Sequence, residues 1–264
     1  MIVRLTCLFC CLMLSFSPYS QTWRLVTEPF PPFLIDNNEK PGWVHELVVS
    51  ALKSQNKNVE IEYTHWARAL KLAQRHKRVA VIGAFYTLKR AKIFTYSLPL
   101  ATADIVLLKR ADSEITYSGS LYSLTPYTIS KGEDYVISEE FEHHPQLAVT
   151  TTHSLIESLT LLIHGRVDLV AGTKEVALYW LENNETLQNF KHSEIKVITP
   201  FLSTQMLHVI TAKDHPQSDY FQQDLYTGLQ TIVANGDAEK ILKRYDFDTN
   251  QTDKVLALLS KNFN

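Results

Sequence analysis

The chain has 264 residues, of which 45% are hydrophobic and 20% charged, with a formal net charge of −2. This is an ordinary globular composition, and the near-neutral balance offers no field to gather nucleic acid, so no nucleic-acid partner is expected. All three cysteines (Cys7, Cys10 and Cys11) sit close to the N-terminus, so the rest of the chain has no disulfide, thiolate metal site or cysteine nucleophile.

The first segment reads as an export signal over residues 1–20. Arg4 is followed by the apolar run Leu5-Thr6-Cys7-Leu8-Phe9-Cys10-Cys11-Leu12-Met13-Leu14 and then by small or turn-forming residues. The run falls short of the roughly 20 apolar residues that a spanning helix needs. Cys10 and Cys11 lie inside it, so there is no lipoprotein box. Removal of the signal leaves about 240 residues, enough for one large or two modest domains.

Beyond the signal, strand and helix patterns alternate. Residues 22–27 form a β-prone run that stops at Pro29, Pro31 and Pro32, which cannot continue a central strand. Apolar residues at helical spacing predict a helix over 43–53, followed by a strand over 59–63 and a second helix over 65–76. Val79-Ala80-Val81-Ile82-Gly83 is a continuous apolar run, as expected of a strand buried on both faces. The resulting β-α-β-α-β order argues for a parallel sheet flanked by helices.

A second unit repeats the theme. Strands are expected at 127–129, 146–149 and 167–171, and helices at 134–143, 155–164 and 174–181. The polar run Thr151-Thr152-His153-Ser154 suits the cap of the middle helix. A strand over 206–211 and helices over 218–235 and 237–245, interrupted by Gly236, then return to the first unit. The expected organisation is a discontinuous lobe one (21–108 plus 200–264), a lobe two (109–199), and two crossing segments that form a hinge.

Six sequence markers stand in order along this chain. They are Glu28-Pro29-Phe30-Pro31-Pro32-Phe33, Gly42-Trp43-Val44-His45-Glu46-Leu47, Trp66-Ala67-Arg68-Ala69-Leu70, Thr87-Leu88-Lys89-Arg90 before Phe94-Thr95-Tyr96-Ser97-Leu98-Pro99, His164-Gly165-Arg166-Val167-Asp168, and the closing run from Asn235-Gly236-Asp237 to Arg244-Tyr245. With them the chain resembles the bacterial extracellular solute-binding proteins of family 3. The resemblance implies an α/β, type II periplasmic-binding-protein-like fold with two lobes and a two-segment hinge. It also implies a monomer in the periplasm that closes on a small-molecule ligand without a cofactor. The membrane partner it implies is the permease of an ABC transporter or, alternatively, a sensor.

The resemblance points to the site residues. Arg90 matches the arginine that holds the ligand's carboxylate in amino-acid binders, and a guanidinium can grip such a group bidentately. The competing reading is an exposed arginine on a short helix. Phe30 and Trp66 match aromatic walls that sandwich the ligand, with Tyr86 as a further aromatic candidate. Arg68 could reach a ligand acid or pair with Glu28, which is otherwise a solvated loop acid. Lobe two offers Glu133, beside Asp134, where the amino-acid binders have small hydroxylic residues. The alternative for these acids is to complement the dipole of a helix start. Thr173 stands where the family has the acid for the ligand's ammonium, and Glu175 is two positions on. Ile82, Gly83 and Phe85 replace lobe-one hydroxyl positions. Half of the amino-acid clamp is therefore missing.

No catalytic residue is assigned. Glu28, Glu133, Glu175 and His208 could serve a dehydratase on the same fold, but no nucleophile elbow, phosphate loop or His-Glu-x-x-His motif groups them. No metal site is expected, because the adjacent His143-His144 pair diverges on a helix.

Overall fold

A computed structural model describes residues 21–188 and 194–260; the expected export signal at 1–20 lies outside them. The first five elements follow the predicted alternation: β1 (Thr22–Thr27), α1 (Trp43–Ser54), β2 (Asn58–Tyr63), α2 (Trp66–Gln74) and β3 (Ala80–Phe85). β1 pairs in parallel with β2, from Thr22 opposite Asn58 to Thr27 opposite Tyr63, and also with β3. Because strand side chains alternate, β1 and β3 serve two cores. Leu25 and Ile82 enter the large cluster that includes α1 and α8 (Ser218–Ala234). Val26 and Val81 enter a smaller cluster on the opposite face with Trp66, Ala69 and Ala73 of α2.

The chain continues through α3 (Leu88–Ala91), β4 (Phe94–Tyr96) and β5 (Ala101–Arg110) into the second lobe. There β6 (Thr128–Gly132) lies between two parallel neighbours, β7 (Ala148–Thr152) and β8 (Leu169–Thr173). α4 (Glu139–Glu142), α5 (Leu155–Ile163), α6 (Lys174–Asn183) and α7 (Glu185–Gln188) belong to the same lobe. Ser154 caps α5 as expected, its hydroxyl accepting the Glu157 N–H. β9 (Ile195–Ala212) carries the chain back, and α8, α9 (Asp237–Arg244) and α10 (Thr249–Ser260) pack on the first lobe.

The strand order is β2-β1-β3-β9-β5-β8-β6-β7, with β4 also on β9. The two crossing segments, β5 and β9, are thus the middle of one continuous sheet. Ala101 to Ile105 pair antiparallel with Leu207 to Ser203, and after a register shift Leu107 to Arg110 pair with Ile198 to Ile195. β9 meets β3 on the side of lobe one, and β5 meets β8 on the side of lobe two. The fold is therefore two α/β lobes joined by two crossing strands.

Three expectations need correction. The helix over 134–143 is reduced to α4, Glu139–Glu142. Asp134 adopts a left-handed φ of 60° and Tyr135 N–H bonds Gly132 C=O, which turns the chain before a helix can start. Ser138 provides the real cap by accepting the Phe141 N–H. The strand expected over 206–211 is one end of β9, because Ile195 to Ser203 pair with β5 although Pro200 interrupts their apolar pattern. β5 itself had been read only as a boundary. Its apolar run Ile105-Val106-Leu107-Leu108 is buried on both faces.

Candidate functional site

The ends of β1, β3 and β6 meet at the interface between the lobes. On lobe one, Glu28 follows β1, Trp66 opens α2, and Arg90 lies on the short helix after β3. Thr87 caps that helix by accepting the Arg90 N–H at 3.0 Å, which directs the arginine back toward the end of β3. Its Nη1 then donates to Phe85 O at 3.3 Å, and its guanidinium carbon lies 5.3 Å from the centre of the Trp66 ring. The competing view of Arg90 as a surface residue does not fit this geometry. Burial lowers its pKa, while Tyr96, Asp134, Glu142 and Glu28 favour the cation.

Glu28 is the larger surprise. It is only 9% exposed, so neither the solvated loop acid nor a pair with the exposed Arg68 describes it. Desolvation raises its pKa to about 8, against the opposing pull of a Tyr135 hydrogen bond and the Arg90 charge. At neutral pH the carboxyl is therefore mostly protonated.

Lobe two supplies the segment Glu133 to Ile137. Tyr135 Oη donates to Glu28 Oε2 at 2.9 Å, and Arg90 Nη2 donates to the Asp134 carbonyl at 2.6 Å. The phenol is held well above its ordinary pKa by burial and by Glu28. Two backbone amides of this loop are already paired within lobe two. Glu133 N–H is spent on Thr152 O at 2.7 Å, and Tyr135 N–H on Gly132 O. With no helix starting here, the expected dipole role for Glu133 and Asp134 also falls away.

The candidates thus separate into groups. Phe30, Trp66 and Arg90 line one cavity of about 20 Å³ together with Glu28 and Tyr135. Phe30 is 6% exposed and sits 5.6 Å from Phe33 in a stacked pair, with Phe85 edge-on at 6.0 Å. Arg68 and Glu133, one from each lobe, line a second, open recess of about 560 Å³ that shares Trp66 with the first, together with Lys71 and His153. Glu133 lies 3.7 Å from the His153 ring there. Tyr86 is half exposed against Tyr96, at 5.1 Å, and lines neither space. Thr173 is buried at the end of β8 and also lines neither. Glu175, on the first turn of α6, is half buried near Asp104, and burial raises its pKa. Its Oε2 has no hydrogen-bond partner among the described residues.

Sequence reasoning missed Tyr135 and undervalued Glu28. The available signal was the run Lys131-Gly132-Glu133-Asp134, in which a glycine and an aspartate favour a turn over a helix.

Among the described residues no group of three or more histidine, cysteine or acidic side chains could hold a metal ion. No helix among them is long and apolar enough to cross a membrane.

The model of the bacterial extracellular solute-binding proteins, family 3, matches residues 24–249. No curated protein matches the sequence. Several solved structures share the fold. The arginine-, lysine-, histidine-binding protein ArtJ from Geobacillus stearothermophilus is 18% identical, with a TM-score of 0.72 over 89% of this chain and 99% of that one. An arginine 3rd transport system periplasmic binding protein from Legionella pneumophila is 18% identical, with a TM-score of 0.71 over 86% and 100% of the two chains. A histidine kinase sensor domain with similarity to periplasmic binding proteins is 16% identical, with a TM-score of 0.73 over 85% and 96%.

Proposed function

The chain belongs to the bacterial extracellular solute-binding proteins of family 3, and from that premise we propose that it captures a small, carboxylate-bearing ligand, an amino acid or a related compound, by hinge closure in the periplasm. The carrying observation is Arg90, fixed by Thr87 and Phe85 over the Trp66 ring and directed across the interface at lobe two. A guanidinium so placed provides two or more aligned donors to a carboxylate. Phe30 and Trp66 supply flat apolar walls, and β5 and β9 supply the hinge about which lobe two moves. The lobes divide near residues 108 and 200, close to the register shift between the crossing strands. The role requires neither cofactor nor turnover, and the protein works as a monomer that delivers its load to the permease of an ABC transporter. An export signal at 1–20 is part of this reading.

A thermal-shift screen of the common amino acids, small organic acids and amines tests it, because a ligand of the native state raises the midpoint by mass action. The ligand so found binds Arg90→Ala about 100-fold more weakly by calorimetry, the equivalent of losing a bidentate charged contact. Equal affinity for the variant would remove Arg90 from the site.

The likeness to a histidine kinase sensor domain favours a second reading, in which the loaded form signals to a membrane receptor. Cross-linking of the ligand-loaded protein in intact cells separates the two, by recovery of a permease or of a receptor.

A further inference from the structure

The strongest unexplained feature of the cleft is that a side chain of this protein occupies the part of it around Arg90 and Glu28. The cavity bounded by Glu28, Phe30, Trp66 and Arg90 measures only about 20 Å³ and is closed on the side of lobe two by Asp134, Tyr135 and Val136. Two polar groups of lobe one that line it are already satisfied from there, Glu28 by the Tyr135 hydroxyl and Arg90 by the Asp134 carbonyl.

The loop is built to hold this arrangement. Gly132 has no Cβ, and one placed there would lie 2.7 Å from the Tyr135 ring, so a side chain at this position would push the ring from its place. Asp134, at φ 60°, turns its carbonyl toward Arg90. The Tyr135 carbonyl is fixed by Lys131 Nζ at 2.6 Å, and that ammonium is itself held by Glu142. Beyond the loop, the Ile137 carbonyl accepts Ser203 Oγ at 2.6 Å and Gln205 Nε2 at 3.2 Å, both from the crossing strand β9. The loop is thereby tied both to its own lobe and to the hinge.

We propose that Tyr135, with the Asp134 carbonyl, is an intramolecular stand-in for the ligand. It holds the two lobes together when no ligand is present, and a ligand must displace it to reach Arg90 and Glu28. This rests on the cleft being the binding site, as argued above. It also defines the ligand more closely. A molecule that replaces both contacts carries an acceptor, a carboxylate or carbonyl, for Arg90 and a hydrogen-bond donor, a hydroxyl or ammonium, for Glu28. Tyr135 sets specificity because any ligand lacking one of the two leaves a polar group in the cleft without its partner and loses about 5- to 150-fold in affinity.

Small-angle scattering of the chain without added ligand is the test, comparing the wild type with Tyr135→Ala and Tyr135→Phe. Tyr135→Ala removes the ring and its hydrogen bond, so the lobes open. The radius of gyration then rises by about 1 Å from the roughly 18 Å expected for a chain of this size. Tyr135→Phe keeps the ring and loses only the bond to Glu28, giving a smaller rise. Circular dichroism establishes that each variant is folded, and if Tyr135→Ala is not, Tyr135→Phe decides alone. Scattering curves that superimpose across the folded proteins overturn the proposal. With an amino acid identified by the thermal-shift screen as probe, Tyr135→Ala binds about tenfold more tightly, since the competent fraction is no longer depleted. Weaker binding would make Tyr135 a ligand contact instead of a competitor and would also overturn it. Failure of the proposed function reads differently: no compound binds either protein, whatever the scattering shows.

Discussion

Glu28 concentrates the physical tension of the cleft. Its carboxyl is buried beside one cation, Arg90, and one phenol, Tyr135, and desolvation outweighs both. With a folded pKa of about 8 against an ordinary 4.5, the native state binds more protons than the unfolded chain between those values. Stability therefore falls as pH rises through that window; the penalty is absent below it and complete above it. Replacing the carboxyl by an amide of the same shape removes the penalty. Glu28→Gln should leave the thermal midpoint nearly unchanged near pH 4.5 and raise it by ~10 °C at pH 8.5, reflecting a few kcal/mol in a chain of this size. An equal midpoint difference at both pH values would show that this carboxyl does not titrate with folding. At this scale the sequence was partly legible. Arg90, Trp66 and Phe30 each stand within a run of marker residues, and the structure brings the three around one cavity. Glu28 reads as a loop acid in the sequence because the residue that bonds it, Tyr135, stands 107 positions away. Thr173 and Tyr86, two further candidates, do not line the cavity that holds Arg90.

At the scale of elements, periodicity served well wherever one face is apolar. The helices α1 and α2 and the strands β1, β2 and β3 fell within a few residues of expectation. Over 134–143 a helix was expected, but Gly132 and Asp134 commit the backbone to a turn before it. Local turn chemistry outcompeted a weak periodic signal. The packing of α1 on α8 depends on a single small residue that no pattern identifies. A Cβ on Gly228 would lie 2.1 Å from the Ala51 carbonyl oxygen, which is backbone and cannot turn aside. Gly228→Ala should therefore force the two helices apart and cost at least ~3 kcal/mol, above the usual range for added methylenes in a core. Urea denaturation checks this; an unchanged midpoint would mean the helices separate freely.

At the scale of the whole molecule, β5 and β9 belong to both lobes and to one sheet, and a single large apolar cluster includes Leu25 of the first lobe, Ile105 of the crossing strand and Ile129 of the second. Two lobes sharing strands and core should unfold together. Fluorescence and circular dichroism should trace the same urea transition, with one midpoint; two separated midpoints would show that the lobes are independent units. The sequence by itself determined the alternation of strand and helix, the two-lobed return of the chain and the arginine at the cleft, because these depend on local periodicity and on short marker runs. Only the tertiary structure decided what fills that cleft. Tyr135 and Glu28 meet through a turn and a lobe-to-lobe approach, and the environment that protonates one and orients the other exists only once distant segments are packed together.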